Sequence, residues 1–323
     1  MRSLLKALMT TGGAAIVGQL LSLAVNKILA LTVGTAGIGF YSLTRQVHET
    51  AVSFGSVGAG GLVQGLAARE GAERRRLFNG ALLLTGIGAA AMAALLLLLF
   101  PERIGALLFD RSDAAVVATV MLCALTAALG IVYAMLNAVV NAARAIGTLA
   151  LLGIGGAAVA AVLAWPVAQA AGAHPYALTA LIAGPLAVQT AAAWFVLRRM
   201  GWWRRDGERA QPRPGPAEFR HFAGFFGFNI ALGAIATGAM LYVRAGIVHA
   251  DGLEGAGLFA AAWGIGMHSL ALVLAAFGTY VLPTVAAATP EQRRKNLQDA
   301  ATLVTFLTLP LLCALLALKQ IGR

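Results

Sequence analysis

The chain is a succession of long apolar runs, each more than twenty residues, separated by short stretches that hold most of its charge. Nothing else in the sequence constrains the fold as strongly, because a helix needs roughly 20 apolar residues to cross the hydrocarbon core of a bilayer. Nine such runs can be marked, at about residues 9–33, 37–67, 77–100, 114–142, 146–171, 175–198, 221–249, 255–287 and 297–319. A transmembrane barrel would instead show alternating segments of about ten residues. Only 11% of residues are charged and the mean hydropathy is +0.81, whereas a soluble domain carries about 25% charged residues. Lipid must therefore be the solvent for most of the surface, and the expected class is an all-α polytopic membrane protein. The second, seventh and eighth runs exceed what a bilayer requires, so tilt or interfacial ends are expected there. Residues 101–113 are expected to form a short interfacial stretch.

The placement of the cations sets the expected orientation. With the N-terminus in the cytoplasm, one side collects Arg2, Lys6, Arg69, Arg74, Arg75, Arg76, Arg144, seven arginines between Arg198 and Arg220, and Arg293, Arg294 and Lys295. The opposite loops hold only Arg103 and Arg111, beside Glu102, Asp110, Asp113, Asp251 and Glu254. The positive-inside rule then makes the basic side cytoplasmic. The net charge of +11 reads as topology rather than as a nucleic-acid surface. Trp202 and Trp203 beside the arginines of the longest loop read as an interfacial anchor, with contact to anionic lipids as the alternative.

No catalytic constellation stands out, and no metal or cofactor is expected. The sequence lacks HExxH, CxxC, P-loop and G-x-S-x-G patterns, and the paired loop carboxylates of a membrane glycosyltransferase are missing. Gly255-Ala-Gly257-Leu-Phe-Ala260 superficially matches a dinucleotide fingerprint, but no strand precedes it. Cys123 and Cys313 lie inside apolar runs and are expected to be buried small hydrophobes.

Polar residues inside the runs carry the remaining information, since a charge at the centre of a span costs about 2.5–3.5 kcal/mol on insertion scales. In the first run Gln19, Ser22 and Asn26 share a helical face and Lys27 borders it. They read as a cavity lining or, more blandly, as helix glue with a snorkelling lysine. In the second run Tyr41, Arg45, His48 and Glu49 recur at helical spacing, and Arg45 and Glu49 are placed for an intrahelical ion pair. His48 has a side chain suited to proton exchange near neutral pH. The fourth run carries Tyr133, Asn137, Asn141 and Arg144 on one stripe. In the seventh, Arg244 has no acid within helical reach and needs a counter-charge from another helix or a ligand. His268, alone on an apolar helix, reads as a packing residue.

The halves also echo one another. Asn26-Lys27 precedes Gly37-Ile-Gly39-Phe-Tyr41, and Val243-Arg244 precedes Gly255-Ala-Gly257-Leu-Phe259. Transporters built from such repeats bind substrate at the repeat interface. Gly37 to Tyr41, Gly60-Gly61-Leu-Val-Gln-Gly65, Tyr242-Val-Arg244, Gly255-Ala-Gly257 and Tyr280-Val-Leu-Pro283 together resemble the Wzx-type lipid-linked oligosaccharide flippases. These belong to the multidrug/oligosaccharidyl-lipid/polysaccharide exporter superfamily.

The resemblance implies two six-helix lobes in a V around a cavity that opens alternately to each side of the bacterial inner membrane. The lobes would be residues 1–200 and 220–323, joined by a basic cytoplasmic linker at 201–219, with the second lobe short of three helices. The implied cargo is an undecaprenyl-diphosphate-linked oligosaccharide for surface polysaccharide such as O-antigen, and the implied company is lipid and other polysaccharide-assembly membrane proteins. Lys27 and Arg244 would then lie near the diphosphate, with Asn26, Arg45, Asn137 and Asn141 also in the cavity, and His48 with Glu49 as the ion-coupling candidates. Two alternatives remain: a multidrug exporter of the same superfamily, which favours an acidic cavity, and a membrane-embedded glycan-processing enzyme, which favours a large carboxylate-bearing outer loop.

Overall fold

The structure, a computed structural model, describes residues 2–67, 88–143, 145–201 and 216–276, with 298 and 302. The described residues are helices joined by short connections, with no strand among them. The chain divides into two compact units, one of residues 20–260 and one of residues 1–19 with 261–323. The first of these holds the features discussed below. Most of the ninth run, most of the basic linker, residues 77–87 and the side chain of His268 lie outside the described residues.

The helical segment Arg2–Ala67 is broken at Gly34 into α1 (2–33) and α2 (35–67). Gly34 has φ 69° and ψ −171°, a region that in practice only glycine occupies. The chain doubles back there. Ser22 and Glu49 would lie about 40 Å apart on a straight helix, yet both line one small cavity. Pro216–Ala276 repeats the device: Gly252, at φ 69° and ψ −166°, separates α8 (216–251) from α9 (253–276). The sequence leads one to expect short loops at both places, and a single glycine serves instead.

Between these hairpins run α3 (Gly88–Leu99), α4 (Pro101–Phe109), α5 (Ala114–Ala142), α6 (Ile146–Ala171) and α7 (Ala180–Arg199), with a 3₁₀ turn at Pro175–Thr179. The segment 16–53, which takes in the break at Gly34, and the segments 114–142, 147–171 and 175–199 are long and apolar enough to cross a membrane. The expected interfacial stretch after the third run is a helix, bent 80° from its predecessor. Proline disfavours helical geometry in the residue before it, and Phe100 accordingly sits at φ −126° and ψ 40°. Helix α4 ends at Asp110 in the left-handed region, which aspartate tolerates better than most residues. It buries Leu108 and Phe109, the latter 5.1 Å between centroids from Phe40.

Helix α5 is the hub. It packs against α3, α4, α6 and α7 and buries Val116, Val120, Cys123, Ala127 and Ile131 almost completely. It is also stitched to α2 by polar contacts: Cys123 Sγ to the Thr44 carbonyl at 3.6 Å, and His48 Nδ1 to Thr126 Oγ1 at 3.1 Å. Gly130 makes the approach possible, because a Cβ there would meet Val52 Cγ2 at 2.6 Å and His48 Cε1 at 3.0 Å.

A constant offset of 218 residues relates Gly34 to Gly252, Gly37 to Gly255 and Gly39 to Gly257. The same offset matches Arg244 to Asn26, not to Lys27. The glycine motif therefore gives the register of the repeat, and the pair of cations read beside it is one residue out of step.

Candidate functional site

A cavity of about 280 Å³ with a mixed lining, polar side chains beside Val25, Leu181, Ile182 and Leu186, lies among α1, α2, α6 and α7. Helix α1 supplies Ser22 and Asn26, α2 supplies Tyr41, Arg45, His48 and Glu49, and α7 supplies Gln189. The helical period accounts for the first two sets, since residues three, four, seven or eight apart share a face. The hairpin at Gly34 then folds one polar face onto the other. Small residues of α6, Gly156, Ala157 and Ala160, form the far wall. Pro185 of α7 also lines it; lacking an N–H, it cannot donate to the Leu181 carbonyl one turn back.

The charges in this cavity cancel locally. Arg45 Nε donates to Glu49 Oε1 at 2.7 Å, as the i,i+4 spacing leads one to expect, and both side chains remain about half exposed. The guanidinium keeps further donors for a ligand. His48 is buried, at 7% exposure. Thr126 Oγ1 gives its own proton to the Cys123 carbonyl at 3.1 Å, so it accepts from His48 Nδ1–H, and the network assigns the basic lone pair to Nε2. Gln189, which sequence reasoning missed, donates from Nε2 to the Leu152 carbonyl at 3.0 Å. A Cβ on Gly156 would be driven into its amide.

Asn26, Arg45, His48 and Glu49 are thus brought together, with Ser22 and Tyr41. The other candidates lie elsewhere. Lys27, next to Asn26, is exposed and does not line the cavity. Asn137 is half-buried and Asn141 exposed, toward the far end of α5, and neither lines it. Arg244 is 9% exposed; its Nη1 donates to the Ser42 carbonyl at 3.0 Å, and its Cζ lies 5.8 Å from the Phe259 ring centre. Its Nε has no hydrogen-bond partner, and no carboxylate among the described residues pairs with it. Among the described residues no cluster of three or more His, Cys, Asp or Glu side chains is placed to hold a metal ion.

Chemically, the cavity offers hydroxyls, amides and an internally neutralised ion pair. That set can hydrogen-bond a polar, hydroxyl-rich group and can present an arginine to an anion.

The fold is similar to that of a multidrug resistance MATE family transporter of the MOP superfamily in an inward-facing conformation. The TM-score is 0.71, with 15% identity, covering 94% of this chain and 72% of that one. It is also similar to a MOP superfamily transporter from Pyrococcus furiosus, whose reversed binding-pocket polarity suggests a different function. There the TM-score is 0.64, again with 15% identity, covering 98% of this chain and 72% of that one. The fold is therefore one shared with these two structures. No protein-family model matches the chain, and no curated protein does.

Proposed function

We propose that the chain is a MOP-superfamily transporter whose cargo is a lipid-linked oligosaccharide, moved from the cytoplasmic to the outer leaflet of a bacterial inner membrane by alternating access. The observation that carries this reading is the pairing of Glu49 with Arg45. An exporter of cationic drugs needs a carboxylate free to meet the cation, and the carboxylate in this cavity already has its partner. Hydroxyl and amide groups fill most of the remaining polar lining, which suits a sugar. A polar headgroup cannot cross hydrocarbon unaided, so a path through the protein has to supply this kind of surface. The similarity in fold to a multidrug resistance transporter favours the second reading, a drug exporter.

The two are separated in proteoliposomes holding the full chain. Undecaprenyl-diphosphate-linked oligosaccharide is expected to become accessible to an added glycosidase in the opposite leaflet, and Arg45→Ala is expected to slow this by about tenfold, the loss of one charge-assisted contact. Ethidium extrusion with no movement of the glycolipid would favour the drug exporter instead.

A further inference from the structure

The starts of α2 and α9 touch through bare backbone, and each makes the other's contact. A Cβ on Gly39 would be driven into the Leu253 carbonyl oxygen and would come 3.0 Å from the Gly257 nitrogen. A Cβ on Gly257 would be driven into the Thr35 carbonyl oxygen and would come 3.2 Å from the Gly39 nitrogen. The contact is reciprocal, as expected of two equivalent repeat segments meeting about a local two-fold axis. Each segment is preceded by its own glycine break, Gly34 or Gly252, so each can swing without unwinding a helix. The cavity lies deeper: Ser22, Arg45 and Glu49 are 11 to 15 residues from Gly34 in sequence, or about 16–22 Å along the helices.

Two features mark this contact as one that opens. Backbone faces held together by small residues separate or slide without disengaging interlocked side chains. Arg244 also crosses from α8 to the Ser42 carbonyl of α2 in an arrangement poor for a permanent seam. It is a buried cation with an unpartnered Nε, a carbonyl and an aromatic face in contact, and Glu49 acting on it only through space, with no ion pair between the two among the described residues, and burial of an incompletely satisfied charge is costly. A state in which Arg244 leaves Ser42 and regains water or an anion recovers that cost.

We propose that the reciprocal Gly39–Gly257 contact is a gate, closed in this structure, which Arg244 latches by holding the Ser42 carbonyl. The proposal rests on the chain being a transporter and on no particular cargo. The test uses the full chain with Cys123→Ala and Cys313→Ala, and Ala256→Cys as reporter, since Ala256 is 3% exposed between two glycines of the gate segment. In reconstituted vesicles with an impermeant maleimide supplied to both faces, Gly39→Ala and Gly257→Ala are expected to label about tenfold faster than the parent, the shift that ordinary overpacking produces. Gly153→Ala, where a Cβ meets open space, is expected to keep the parent rate. Arg244→Gln leaves both glycines in place and is expected to accelerate labelling as well.

Parent-like labelling of an inserted Gly39→Ala or Gly257→Ala protein overturns the gate. Should neither glycine variant insert, Arg244→Gln decides: faster labelling supports the latched gate, and an unchanged rate overturns it. Labelling needs no cargo, so a responsive gate combined with absent glycolipid movement would overturn the cargo reading alone.

Discussion

At the scale of single residues, the cavity wall is set by what small side chains leave room for. Gly156 makes space for the Gln189 amide, which bridges α7 to the Leu152 carbonyl of α6. Alanine at 156 gains helix propensity, about 1 kcal/mol, but evicts the amide from its hydrogen bond at a similar cost. Gly156→Ala alone is therefore expected to change unfolding free energy little, whereas in a Gln189→Ala background it is expected to stabilise by about 1 kcal/mol. A double-mutant cycle of unfolding in mixed micelles reads the coupling, and strict additivity would show that the two side chains do not compete. Gln189 sits beside Thr190 in an otherwise apolar stretch, with no polar residue at helical spacing to mark a face, so only the packing of α6 on α7 reveals it. Arg45, His48 and Glu49 were different: their spacing alone puts them on one face. Spacing alone does not fix where such a face ends. One residue of register is about 100° of helix rotation, enough to place Asn26 in the cavity wall and Lys27 outside it.

At the scale of elements, the seam between α2 and α5 fixes which face of α2 is left for the cavity. His48 is the seam's polar anchor, and Thr126 is the acceptor that lets a buried imidazole N–H stay satisfied. Thr126→Val keeps the shape and removes the acceptor, and is expected to cost about 1–3 kcal/mol. Thr126→Ser, which keeps the hydroxyl, should recover most of that loss. Equal losses in both variants, measured by the same unfolding titration, would show that the hydrogen bond contributes nothing. The sequence made α5 legible as a span with a polar stripe near its far end, yet the residues that dock it onto α2 are Thr126, Cys123 and Gly130. Small or weakly polar side chains of this kind carry no hydropathy signal. The 80° turn at Phe100 was half legible: Pro101 announces a break, but whether the chain lies flat or folds Phe109 into the core depends on the partner Phe40.

At the scale of the whole molecule, the all-helical class and the succession of spans follow from hydropathy alone, because the bilayer tolerates so few alternatives. The repeat was legible through its glycines and blurred by its cations. A backbone conformation open only to glycine marks register more sharply than a charged side chain, which can reach the same place from neighbouring positions. The two breaks are therefore expected to behave alike. Gly34→Ala and Gly252→Ala should each destabilise by about 1–3 kcal/mol, while Gly18→Ala, which meets open space, should not. Thermal unfolding in detergent compares the three. A tolerated alanine at 34 beside a damaging one at 252 would mean that the repeats do not share their geometry.

The breaks at Gly34 and Gly252 are one residue long, and this restricts how the chain can change its length. Added residues in a charged surface loop are absorbed by slack, since loop length costs little. At either glycine there is no slack. One inserted residue turns the following helix by about 100° and advances it by about 1.5 Å, carrying Arg45, His48 and Glu49 off the cavity at the first break or Gly257 off its partner at the second. Related chains can thus differ freely in their basic loops, but the two sharpest turns must keep their residue count, and a duplicated half must be copied whole.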